Sequence, residues 1–199
     1  MKRNSLGFVS GLIGLIMLTL IITLGTMFVF KFEGQPKGNI SVYNYLECSS
    51  KSTPVLDSET ANLEFSGNND AYASHLLISN ERINRTEDSG TYSIMLLIIS
   101  MVFLVVLLFS FACEILSMFS YYKKRVQVFA MVLRVFMLAI SLVMALVAPL
   151  YINSLASGLE EYFKLGFSVY VFPVLALINV VLFFIFGVSN NKKGAKISE

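Results

Sequence analysis

The sequence predicts an all-α membrane protein: a four-transmembrane-helix bundle with a small, β-containing extracytoplasmic loop region, making one four-span membrane domain over residues 1–199. Three observations predict it. Apolar residues make up 56% of the chain and charged residues 14%, with a mean hydropathy of +0.72, too greasy a balance for a water-covered surface. The apolar residues are gathered into four blocks, each long enough for the roughly 20 residues that a membrane helix needs. The basic clusters that flank these blocks all fall on one side of a chain crossing four times.

The first block runs from about Leu6 to Phe30 (6–30), the second covers 93–119, the third 126–151 and the fourth 166–188. A strand reading of any block would need alternation of apolar and polar residues, and none shows it; helices also satisfy their own backbone amides in hydrocarbon. Lys2 and Arg3 precede the first span, Lys123, Lys124 and Arg125 fill the turn between the second and third, and Lys192, Lys193 and Lys196 follow the fourth. With Glu199 this side carries a net +7, whereas the other side, with six cations and eleven acids, carries −5. The basic side is therefore read as cytosolic, with both ends on it. A cleavable signal peptide is the competing reading of the first block, because Met1-Lys2-Arg3-Asn4 is a charged start and Thr23-Leu24-Gly25 a tolerable cleavage site. Its apolar run exceeds the roughly 7–15 residues of such leaders, which favours a retained span.

Residues 31–92 form the outer loop, rich in Ser, Asn, Glu and Asp. The stretch Asn39 to Cys48 carries β-branched and aromatic residues in partial alternation, and Ala73 to Ser79 is a second short apolar run, so a small strand pair is expected there. Asn39-Ile40-Ser41 and Asn84-Arg85-Thr86 are glycosylation sequons, and both lie on the side that the charges make luminal. The single histidine, His75, reads as a half-buried surface residue beside Leu76 and Leu77. No nucleophile stands at a motif spacing from it, and one histidine with the distant cysteines Cys48 and Cys113 offers no metal-ligand set. No catalytic, cofactor-binding or metal-binding residues are expected, and no nucleic-acid partner; Cys48 reads first as a free thiol and second as an intermolecular disulfide partner.

Within the spans, Glu114 and Arg134 stand out, because ionisable side chains in hydrocarbon are expensive and find partners. Lys124 lies ten residues from each, so in an antiparallel helical hairpin both sit about 15 Å from the turn. Equal depth permits an intramembrane ion pair, read first as a device that fixes the register of the second and third spans and second as a gating element. Gly7, Gly11 and Gly14 place small residues on one face of the first span, with Gly7-Phe-Val-Ser-Gly11 a literal GxxxG, which marks a helix-packing face for another span or for self-association. Pro173 frees the carbonyl of Val169, and Asn179 offers an amide at mid-depth; both read as packing devices.

Four spans, cytosolic ends, a large first outer loop and a small second one resemble the claudin-like superfamily: claudins, myelin-type tetraspan proteins and the fungal SUR/PalI-type plasma membrane proteins. Tyr45-Leu46-Glu47-Cys48 looks like the first half of that family's loop signature, and Lys164-Leu-Gly166-Phe-Ser-Val-Tyr is similar in character to the fungal members. The family's second loop cysteine and its tryptophan are absent here. The resemblance implies a non-enzymatic plasma membrane protein that organises membrane domains or supports cell-surface, cell-fusion or signalling complexes, with the bilayer and other membrane proteins, or a second copy, as partners. The alternative is an auxiliary subunit of a channel or transporter.

Overall fold

A computed structural model describes residues 5–23, 25–31, 37–50, 68–83, 87–119, 124–155 and 162–195. The described chain is mostly helical, in the order α1 (Ser5–Thr23), β1 (Thr26–Phe30), β2 (Gly38–Ser41), α2 (Val42–Ser50), α3 (Asn69–Ile83), α4 (Glu87–Phe119), α5 (Lys124–Ser154), β3 (Phe163–Leu165) and α6 (Ser168–Ala195). Three stretches among the described residues, Asp88–Leu116, Val128–Ser154 and Ser168–Ile185, are long and apolar enough to cross a membrane. Gly11–Thr23 of α1 is a shorter apolar helix.

The long helices are inside-out relative to a soluble protein. In α4 the buried positions include Ser93, Ser100, Ser110 and Glu114, while Ile98, Val105, Leu108 and Phe109 are exposed. Most buried positions of α4 from Ser89 to Glu114, and of α5 from Ala130 to Ile152, recur every three or four residues. That is the spacing of a helix face turned away from the surface, and an apolar outer surface is what lipid requires. The chain is accordingly a membrane protein.

Two compact units are distinguished. The helical unit comprises the described residues within 1–23, 102–142 and 171–199, and the sheet unit those within 24–101 and 143–170. In the helical unit, Phe103 of α4 stacks on Phe172 of α6, with ring centroids 5.6 Å apart and planes at 15°.

The sheet unit is built on three antiparallel strands in the order β2-β1-β3. Phe28 pairs with Ile40 on one side and Leu165 on the other, and Phe30 with Gly38 and Phe163. The inner face carries the aromatic core: Phe28, Tyr45 of α2 and Tyr151 of α5 meet with centroids 5.8–6.4 Å apart, and Phe30 packs on Tyr72 and Phe163. The Tyr45 hydroxyl donates to the Ser93 carbonyl at 3.3 Å. Gly166 follows β3, and its N–H donates to the Met27 carbonyl at 2.8 Å. A side chain there would overlap the Thr26 carbonyl oxygen, so only glycine admits this approach.

Two expectations are corrected. The first apolar block is not a helix over 6–30: α1 stops at Thr23 and Thr26–Phe30 is the central strand. Gly25 weakens helix propagation, and Thr-Met-Phe-Val-Phe is rich in β-branched and aromatic side chains that pack well on a pleated surface. The strand pair expected from 39–48 and 73–79 is also replaced. Only Gly38–Ser41 is a strand; Ser41 then caps α2, its hydroxyl accepting from the Asn44 N–H at 3.1 Å, and Ala73–Ser79 lies inside α3. Asn68 caps α3 in the same way, its side-chain oxygen accepting from the Ala71 N–H at 3.1 Å, with Asp70 in the first turn where a carboxylate favours the helix dipole.

Candidate functional site

The most distinctive chemistry lies in the helical unit, where four helices each contribute one group to a charge node. Glu114 and Arg134 sit on the buried seams of α4 and α5, and their side chains are only 2% and 3% exposed. Arg134 Nε donates to Glu114 Oε1 at 2.6 Å, and Nη2 donates to Oε2 at 2.6 Å. This side-on fork satisfies both carboxylate oxygens with charge-assisted bonds, the arrangement that best offsets the cost of burying two charges. The guanidinium also lies over the ring of Phe183 of α6, its Cζ 4.5 Å from the centroid, where the negative face of the ring attracts the cation.

Gly14 of α1 completes the node. A Cβ at this position would stand 2.5 Å from Glu114 Cδ and 2.7 and 2.8 Å from its two oxygens. The carboxylate thus occupies the space a side chain would take, and Gly14 is the notch that admits it. Gly11 is buried on the same helix face, while the surroundings of Gly7 lie outside the described residues. Of the residues singled out in the sequence, the structure therefore brings Glu114, Arg134 and Gly14 into one site.

The charges of the node cancel, its hydrogen-bonding geometry is bidentate, and its fourth wall is an aromatic face. Phe183 was not singled out by the sequence reading, because a phenylalanine in an apolar span carries no signal of its own until a cation is placed against it. Asn179 lies one turn before it on α6 and is buried.

In the sheet unit, Asn39 is exposed on β2, and its backbone N–H donates to Asp70 Oδ1 at 2.7 Å. Asn84 lies outside the described residues. His75 departs from expectation: it is 1% exposed, buried on α3 with its Nε2 3.2 Å from Ser79 Oγ. The cause is that α3 buries nearly all of its middle, a placement that a two-residue apolar neighbourhood in sequence did not reveal. Cys48 is half-buried and Cys113 buried, with no disulfide between them, and among the described residues no group of three potential metal ligands occurs. Comparison with protein families, with curated proteins and with solved structures finds no match.

Proposed function

We propose that the chain is a non-enzymatic four-span plasma membrane protein, claudin-like in layout, that organises membrane domains or supports cell-surface, cell-fusion or signalling complexes. The observation that carries this reading is the sheet itself. β1 follows α1 directly and β3 leads directly into α6, so the segment after the first apolar helix and the segment before the last are hydrogen-bonded into one body. A hydrogen-bonded sheet unit of this kind is a preformed body of the sort that a protein displaying a recognition surface requires.

The fourth crossing is α1. Its 19 residues rise about 28 Å, close to the thickness of the hydrocarbon core. It repeats the three-to-four-residue spacing of buried positions in the longer helices, with Gly11, Gly14, Leu18 and Ile21 buried and the apolar Leu12, Ile16 and Leu20 exposed. With four crossings the charge asymmetry puts the sheet unit outside the cell and the sequons Asn39 and Asn84 with it.

Two measurements test the proposal. A reporter fused after Glu199 and another inserted beside Asn69 are expected on opposite sides of the membrane; the same side for both rules out four crossings. A tagged copy is expected at the plasma membrane, purifying from mild detergent with other surface proteins or with itself. A stoichiometric channel or transporter in that preparation would assign the auxiliary-subunit role instead, and retention in an internal membrane would overturn the location.

A further inference from the structure

Beyond the charge node, the helical unit buries two polar atoms that have no hydrogen-bond partner: Ser110 Oγ on α4 and Asn179 Oδ1 on α6. Their residues are 3% and 5% exposed, so bulk water does not serve them. An unmet polar atom in such a setting keeps its full desolvation penalty, which makes it a demand for a partner.

The relative register of α4 and α6 follows from two contacts. Phe103 stacks on Phe172. Eleven residues further along each helix, Glu114 and Phe183 both touch Arg134. Two contacts in the same order and at equal spacing mean that the helices run parallel and level over this stretch. Seven residues, two helical turns, from the phenylalanine pair stand Ser110 on one helix and Asn179 on the other, and a heptad step returns both to the facing seam. The two unpartnered atoms therefore share one depth, between the Leu107–Ala176 level on one side and the charge node on the other.

We propose that Ser110 and Asn179 form a binding site for one internal water molecule that ties α4 to α6. The chemistry is complementary: the serine hydroxyl donates to the water, and the water donates to the carboxamide oxygen, which can only accept. Buried waters of this kind satisfy otherwise orphaned groups and are costly to remove. Aromatic stacking and a cation over a ring tolerate sliding, whereas a bridged hydrogen bond is directional, so this site gives the parallel pair its axial register. The inference is independent of the cellular role proposed above.

The test uses the full chain in detergent, with Ser110→Ala, Asn179→Leu and the double variant. Each single change leaves one polar atom unmet and is expected to lower the melting midpoint by about 2–10 °C, while the double change removes both and recovers most of that loss. Additive losses, or singles that melt like the parent, overturn the proposal. Nuclear magnetic resonance then separates a bridge from a direct bond. A cross-peak between the Asn179 side-chain amide and a long-lived water is expected in the parent, retained in Ser110→Thr and lost in Ser110→Ala. Energetic coupling without that cross-peak would assign a direct Ser110–Asn179 bond and overturn the water site, as would a cross-peak that survives Ser110→Ala.

Discussion

Replacing Gly14 by alanine tests the charge node through its least conspicuous member. The new Cβ would stand 2.5 Å from Glu114 Cδ, about 1 Å inside ordinary carbon–carbon contact. The carboxylate cannot yield cheaply, because two 2.6 Å bonds to Arg134 hold it. Overpacking of this kind costs about 1–3 kcal/mol. Alanine is the better helix former by about 0.8–1.0 kcal/mol, which offsets part of that. The net expectation is a loss of about 1 kcal/mol, read as a melting midpoint lower by roughly 2–4 °C in a detergent thermostability assay. The decisive comparison is the same substitution in a Glu114→Ala/Arg134→Leu background. There the obstructing atoms are gone and only the propensity gain remains, so Gly14→Ala should stabilise. An equal loss in both backgrounds would show that Gly14 is required for some other reason and would refute the notch.

Three further outcomes are expected. Glu114→Gln and Arg134→Gln should each cost about 3–5 kcal/mol by leaving a buried charge without its counter-ion, and the double replacement should recover part of the loss, measured as the amount of folded protein; strictly additive losses would mean that the pair is not coupled. Gly166→Ala should disrupt the sheet unit more than Gly14→Ala disrupts the helical unit, because it meets backbone, the Thr26 carbonyl, which no rotamer change can move aside; limited proteolysis of the sheet unit reads this out, and parental resistance would contradict it. Burial pushes the Tyr72 phenol above its ordinary value of 10.0. Folding therefore favours the neutral form, and its contribution is intact below pH 10 and lost as pH rises from there toward the raised folded value. Tyr72→Phe should remove that alkaline loss, and an unchanged alkaline denaturation curve would exclude Tyr72 as its source.

What the sequence revealed, and what it hid, follows from the range of the interactions involved. Glu114 and Arg134 were legible because each is a rare residue type for its surroundings and because a short turn fixes their relative depth. The notch at Gly14 was visible only as a small residue on a helix face; that its neighbour is a carboxylate on another helix is tertiary information. Thr26–Phe30 was hidden by continuity, since an apolar run reads the same whether its last five residues continue a helix or leave it as a strand, and only Gly25 marked the change. Ala73–Ser79 carries no helix start of its own; the helix signal lies upstream, where Asn68 and Asp70 are cap and first-turn residues. Phe163–Leu165 could not have been recognised as a strand from its own three residues. Its conformation is set by Val29 and its neighbours, more than 130 positions earlier in the chain.

That last pairing orders the protein's assembly in time. β1 and β2 lie within one hairpin-sized stretch and can pair as soon as Ser41 is made, but β1's other edge stays open until Phe163 to Leu165 are synthesised, about 120 residues later. At translation rates of about 5–20 residues per second, the half-finished sheet waits roughly 6–24 s, while α4 and α5 are delivered to the bilayer. An unpaired central strand is a hazard for mispairing during that interval. Closure by β3 then comes just before the last helix is made, so the sheet is completed only when β3 reaches the same side as β1.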